Sequence, residues 1–302
     1  MNEDFKKKII ALLGRTGKEW FRALPEIIKK YELEWDIKTQ DPFPLSYNYV
    51  CPAITSDNKN VVLKISFPEN NEFITEIEAL KTFDKEVVIR IIREDLVGGA
   101  VLLERALPGK RLREITPDND QIHYASQVLR KLHRPVSESS ATLFPSVADW
   151  AKAFDRYKSR YPDSSGPIPK NIFDLGEGIF REFLQDKKEQ VVLHGDLHSD
   201  NILSSERGWL VIDPKGVIGE REFELGAYLR NPYYDFPEGS DLKALETNRI
   251  IQSSEELGFD KERVRGWALA CAVISLVWFL EDEDYFKDEY VRNAELIRDL
   301  KI

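Results

Sequence analysis

Cysteine is scarce in this chain: Cys51 and Cys271 are the two among 302 residues, far apart and each in apolar surroundings. That speaks against a disulfide framework of the secreted kind, and both thiols read as reduced core residues. Long hydrophobic runs are missing as well. The longest, WALACAVISLVWFL over residues 267–280, has 14 residues, short of the roughly 20 that span a bilayer, and reads as a buried helix. The opening MNEDFKKKIIALLGR carries charge on both sides of a very short apolar run and lacks a small-residue cleavage site, unlike a signal peptide. A cytoplasmic protein with no membrane partner is expected. A basic excess is absent too: 53 acidic against 43 basic residues leave a net charge of −10. Nucleic acid is thereby disfavoured as a partner and a small cationic one favoured, although a merely solubilising surface would carry the same sign. No G-x-x-x-x-G-K-[ST] stretch occurs, which excludes a P-loop enzyme.

What is present suffices for a sizeable core, since 42% of residues are hydrophobic. The first 40 residues have helical periodicity, with Trp20, Leu24, Ile27, Ile28 and Tyr31 at spacings of three and four, and Pro42 and Pro44 close the segment. A hairpin follows, SYNYVCPAI and VVLKISF around SDNKN, then a helix whose stripe is Phe73, Ile77, Leu80 and Phe83. Two more strands, VVIRIIRED and GAVLLERAL, complete an antiparallel sheet crossed by one helix. After Pro108 and Gly109 the pattern turns helical. TPDNDQIHYASQVLRKLHRP offers capping residues at its start and stops at Pro135, and a short hairpin, SSERGWLVID, precedes a helical C-terminal part. The expected fold class is α+β, with an N-terminal antiparallel sheet and a mostly helical remainder.

VVLHGDLHSDNIL, residues 191–203, concentrates two histidines, two aspartates and an asparagine between apolar stretches. Two chemistries and a plain polar turn compete for it. His194, Asp196 and His198 alternate as metal ligands do, but the chain's other histidines, His123 and His133, lie ten residues apart with no ligand-like spacing. Asp196, Ser199, Asp200 and Asn201 are also ordinary turn formers. Phosphoryl transfer needs an acceptor for the proton of the attacking hydroxyl and oxygen ligands holding Mg²⁺ against nucleotide phosphates. Asp196-x-x-x-x-Asn201 has the spacing used by protein-kinase-like enzymes, and LVIDPKG places Asp213 at the end of an apolar strand, twelve residues after Asn201. Upstream, Lys64 sits mid-strand among apolar residues, where an ammonium is costly unless it meets anions. Phosphate and a helix carboxylate would supply them: Glu76 is the first choice, with Glu72 and Glu78 as alternatives, and a lysine snorkelling from an edge strand is the plainer reading.

LHGDLHSDNIL with WLVIDPKGVIGEREFELGAYLRNP, supported by VVLKISFP, VLLERALPG, LRKLHRP and DWAKAF, resembles the aminoglycoside phosphotransferases, in the branch of streptomycin 6-kinases and hydroxyurea phosphotransferases. The resemblance implies a two-lobed protein-kinase-like fold with ATP in the cleft, residues 1–104 forming the nucleotide-binding lobe and 105–302 the catalytic and substrate-binding lobe. It makes Asp196 the catalytic base and Asn201 and Asp213 the Mg²⁺ ligands. Lys64 becomes the phosphate-contacting lysine, Glu76 its partner, and residues 104–107, with Glu104 and Ala106, the adenine-holding hinge. Two departures stand out. Pro214 follows Asp213, so its fixed φ argues against a flipping switch. The phosphate-covering stretch LSYNYV has no glycine and leaves Ser46 or Asn48 and backbone N–H groups to approach phosphate. A polycationic acceptor such as streptomycin needs carboxylates at the cleft. In the run EDEDYFKDE, Glu281 and Asp282 are the candidates, and a solvated helix end is the alternative.

Overall fold

The computed structural model describes residues 3–162, 165–230 and 239–302. Asn231 and Pro232 of the LRNP motif lie outside the described residues. The chain opens with α1 (Glu3–Trp35), two helices joined where Gly14 takes φ 58° and ψ −122°. The first folds back on the second, bringing Phe5 to within 6.2 Å of the Trp20 ring. α1 ends at Trp35, short of the two prolines. The stretch read as continuing helix instead forms β1 (Ile37–Thr39), held by pairing with residues 53–55, a non-local partnership that helical periodicity cannot report.

β2 (Tyr49–Thr55), β3 (Asn60–Ile65), α2 (Asn71–Thr82), β4 (Ile91–Asp95) and β5 (Ala100–Glu104) follow the expected order. The strands form one antiparallel sheet in the order β1-β2-β3-β5-β4. Alternation along β3 decides which side chain meets what. Val61, Leu63 and Ile65 face α1 and pack with Leu24, Tyr31, Ala100 and Leu102. Lys64, of opposite parity, therefore emerges on the face that carries α2, whose Phe73, Ile77 and Leu80 join the second and larger core.

Beyond residues 105–107 the chain does not become helical at once. β6 (Pro108–Arg111) pairs with β9 (Ile202–Ser205), and a 3₁₀ turn, Leu112–Glu114, precedes α3 (Asp118–Leu132). The expected side-chain cap of α3 is not used: Pro117 is its N-cap, and Asp118 instead accepts two hydrogen bonds from Arg249 at 2.6 and 2.9 Å. β7 (Arg134–Pro135), α4 (Glu138–Leu143), α5 (Val147–Trp150), α6 (Lys152–Arg160) and α7 (Lys170–Gln185) lead to β8 (Val191–Leu193). β9 forms a hairpin with β10 (Gly208–Val211), and β8 lies between β7 and β11 (Val217–Gly219). α8 (Arg221–Leu229), α9 (Leu242–Leu257), α10 (Lys261–Asp282) and α11 (Asp288–Arg298) complete a helical lobe.

α10 has 22 residues, more than the 14-residue apolar run suggested, and by length and composition alone could cross a membrane. Here it is the central helix of the lobe: Trp267, Leu269, Val273, Ile274 and Leu276 are all buried in the larger core. Cys51 and Cys271 are buried free thiols, one in each core. The architecture is α+β and two-lobed.

Candidate active site

Lys64 is buried, and its Nζ lies 2.6 Å from both carboxylate oxygens of Glu76 and 3.1 Å from Oδ1 of Asp213. The choice among three glutamates is thereby made. Glu78 instead meets Lys81 at 2.9 Å and Glu72 meets Lys215 at 2.7 Å. Burial works against the charged ammonium of Lys64, but the charges of Asp213 and Glu76 outweigh it and hold the group well above the usual lysine range. With two carboxylates sharing one cation, the buried Glu76 carboxyl is pushed up to about 7 by desolvation, against the pull of Lys64. Burial would raise Asp213 too, yet Lys64 holds it below its ordinary value.

Asp213 follows β10 with φ 56°, a left-handed conformation unfavourable for a residue with a Cβ. Strain of that kind persists where surrounding structure imposes it. Ile212 N–H donates to Asn201 O at 3.0 Å, and the N–H groups of Lys215 and Gly216 donate to His194 O at 2.8 and 3.2 Å. The turn carrying Asp213 is thus tied to the loop carrying Asp196 and Asn201.

That loop, residues 194–201, is shaped by its own histidines. His194 Nε2 lies 2.9 Å from Ile212 O, and its Nδ1 accepts from the Asp196 N–H at 3.1 Å. Both ring nitrogens face backbone groups, which leaves neither for the metal-ligand reading of this stretch. Among the described residues no group of three or more His, Cys, Asp and Glu side chains is arranged to hold a metal ion. His198 Nδ1 accepts from Asp200 N–H at 3.3 Å, and burial lowers its affinity for a proton. Gly195 has φ +83°, and a Cβ there would stand 2.7 Å from Trp150 and 2.9 Å from Val217, so only glycine fits.

Asn201 donates its amide N–H to Asp196 O at 3.0 Å, which leaves its amide oxygen available. An amide oxygen with the carboxylate of Asp213 is a hard donor pair suited to Mg²⁺, the remaining positions being left to phosphate and water. The residues present fit the metal that the sequence implies.

Two further groups escaped the sequence reading. Glu224 of α8 is wholly buried and accepts from the N–H groups of His194 at 2.5 Å and Gly195 at 3.0 Å. Its signal was a carboxylate set between Phe223 and Leu225 in the helix REFELGAYL. Arg230, at the end of α8, donates to Asp196 Oδ1 at 2.7 Å and lies 5.5 Å from the Trp278 ring.

The other expected residues are dispersed around this centre. Ser46 is exposed in the loop leading into β2, whose register sets Val50 opposite Lys64. Within the same loop the Tyr47 ring packs under Lys8 at 4.1 Å. Glu104 ends β5, and its carboxylate receives Arg207 at 2.6 and 3.1 Å, while Ala106 is buried beside it. The acidic run at the end of α10 is divided. Glu281 takes Arg156 at 2.7 and 3.0 Å, and Asp284 takes Arg160 at 2.7 Å. Asp282 has no ion pair among the described residues, and burial, reinforced by the charge of Glu72, raises its carboxyl above the ordinary range.

A sheet-bearing lobe that sends one lysine and one helix carboxylate toward an Asp–Asn loop and a second aspartate defines a protein-kinase-like phosphotransferase with an alcohol group as acceptor. The chain belongs to the aminoglycoside/hydroxyurea antibiotic resistance kinase family, whose model matches residues 45–283. It is 26% identical over 282 residues to the streptomycin 6-kinase of Streptomyces glaucescens, covering 89% of this chain and 87% of that one. Among solved structures, choline kinase LicA from Streptococcus pneumoniae superposes with a TM-score of 0.65 at 15% identity, covering 91% of this chain and 97% of the other. Aminoglycoside phosphotransferase APH(4)-Ia, solved as a ternary complex with ADP and hygromycin B, gives 0.59 at 12% identity, with 91% and 96% covered. At such identities the two structures speak for the fold alone.

Proposed function

We propose that this protein transfers the γ-phosphate of ATP, with Mg²⁺, to a hydroxyl of a small cationic molecule, with streptomycin or a related aminoglycoside as the leading acceptor. The observation that carries the reading is the Lys64 ammonium held 2.6 Å from Glu76 and 3.1 Å from Asp213, on a turn hydrogen-bonded to the Asp196 loop. Residues 1–104 would bind the nucleotide, with Ser46 over the phosphates and the backbone around Glu104 and Ala106 holding the base. Residues 105–302 would supply the chemistry. Asp196 orients the acceptor hydroxyl and takes its proton as the acceptor oxygen bonds to phosphorus. The bond from that phosphorus to the β–γ bridging oxygen breaks, and ADP leaves. Asn201 and Asp213 would hold Mg²⁺, which when bound neutralises phosphate charge, and Lys64 does the same from the sheet side.

The ion pair of Asp196 with Arg230 fits this role if an entering acceptor displaces the guanidinium, since a cationic acceptor brings its own charge to that carboxylate. Asp282, unpaired and raised, is the better of the two expected acceptor contacts, because Glu281 is already taken up by Arg156. The streptomycin kinase relative and the net charge of −10 favour a cationic acceptor.

A coupled assay of ADP release against streptomycin, other aminoglycosides, hydroxyurea and choline-like amino alcohols tests the proposal. Streptomycin-dependent release is expected; release with amino alcohols alone would replace the acceptor, and none with any would remove the activity. In Asp196→Asn, turnover should fall roughly 10³-fold while nucleotide affinity stays within a few-fold, and retained turnover would refute the assigned base.

A further inference from the structure

Glu72 and Glu76 stand four residues apart on α2, so their side chains share one face of the helix, about 6 Å apart along its axis. Each holds a lysine from elsewhere. Glu76 takes Lys64 in a buried pair whose side chains are 5% and 8% exposed. Glu72 takes Lys215 at 2.7 Å in a more open pair, where the exposures are 42% for the lysine and 72% for the glutamate. Lys215 belongs to the LVIDPKG stretch, and no step of the proposed transfer uses it.

Its position is specific. Lys215 lies two residues beyond Asp213, and its own N–H is bonded to His194 O at 2.8 Å. Its Cβ lies 3.4 Å from where a Cβ on Gly195 would stand, so its stem starts beside the residue that precedes Asp196. Desolvation opposes its charge, while Glu72, Asp196 and Glu76 all favour it, and it acts in turn on Asp213. The Lys215 ammonium thus rests on Glu72, on the same helix face as Glu76, whose own lysine reaches Asp213. Its partner is largely exposed, and such pairs contribute little, so leaving Glu72 is inexpensive for a long, flexible side chain.

We infer that Lys215 is a further catalytic residue, whose ammonium contacts the terminal phosphoryl group from the binding of the triphosphate through its transfer, and rests on Glu72 when no triphosphate is bound. The inference rests on the kinase reading above. Lys64 serves the inner phosphates from the sheet, and Lys215 serves the outer one from the loop side, where charge develops as the group passes to the acceptor.

Calorimetric binding of ADP and of the non-hydrolysable triphosphate AMP-PNP, each with Mg²⁺, separates the possibilities. Lys215→Ala should lose about tenfold or more in AMP-PNP affinity, one charge-assisted contact, while ADP affinity stays within about twofold. That unchanged ADP binding also certifies the fold of the variant. Lys215→Arg should recover part of the loss, and Glu72→Gln should bind AMP-PNP at least as tightly as the native protein, because it only frees the lysine. With a productive acceptor, kcat of Lys215→Ala should fall about 10²-fold. Equal losses for ADP and AMP-PNP, or none, overturn the assignment. Glu72→Gln matching Lys215→Ala overturns it in favour of a simple latch between lobes. A native protein that binds neither nucleotide removes the kinase reading itself, a distinct failure.

Discussion

Glu224 accepts from two successive N–H groups of the loop that carries Asp196, one on each carboxylate oxygen. A buried acceptor removed from two donors leaves both unsatisfied. Glu224→Ala is expected to lower unfolding free energy by about 2–4 kcal/mol, measured by urea denaturation, and to lower kcat in parallel. Glu224→Gln keeps one acceptor oxygen and should be milder on both counts. Among the candidate residues, Lys64, Asp196, Asn201 and Asp213 were legible because their chemistry is odd for their local context: a cation in an apolar strand, and carboxylates and an amide at fixed spacing. Arg230 was not legible, since nothing local ties it to a carboxylate 34 positions earlier.

At the level of elements, α1 is fastened to the sheet by polar as well as apolar contacts. Asp95, ending β4, accepts from Gly98 N–H at 2.8 Å and from the Tyr31 hydroxyl at 2.9 Å, with Lys30 at 3.3 Å. The Gly98 bond, against a smaller cost of burial and aided by Tyr31 and Lys30, holds the Asp95 carboxyl below its ordinary value. A carboxyl depressed in the fold stabilises it at pH values above its unfolded pKa, about 3.9, and that contribution fades as pH falls through the folded value. Asp95→Asn should therefore cost about 1 kcal/mol at pH 7, and the gap to the native protein should close below about pH 4. Denaturant titrations across that range check it; a gap independent of pH would assign the effect to packing. The helices and hairpins with strong periodicity were readable in advance. β1 and β6 were not, because three- and four-residue strands exist through partners distant in sequence.

The whole molecule depends on how its two parts meet. Arg207, in the β9–β10 turn, grips Glu104 at the end of β5 and also donates to the carbonyls of Lys85 at 2.7 Å and Val88 at 3.3 Å. Beside it the backbones of Val87, Ile89 and Val211 exchange hydrogen bonds of 2.8 and 3.1 Å. One guanidinium thus fixes the helical part to the strand that would present the hinge. Arg207→Ala is expected to lower stability by about 1–3 kcal/mol and to raise the KM for ATP more than it lowers kcat. Steady-state kinetics with denaturant titration would show it, and an unchanged KM would mean that the backbone pairing alone holds the lobes in register.

Sequence by itself determined the parity that turns Lys64 away from α1, the Asp-x-x-x-x-Asn spacing of the loop and the strand that delivers Asp213, because each follows from backbone period or conformational preference over a few residues. Tertiary structure decided which glutamate of α2 meets Lys64, which member of the 281–284 run stays unpaired, and that Arg230 pairs with Asp196 and Lys215 with Glu72. Those are choices among chemically equivalent charges, and they are made by distance alone, which exists only once the chain has folded.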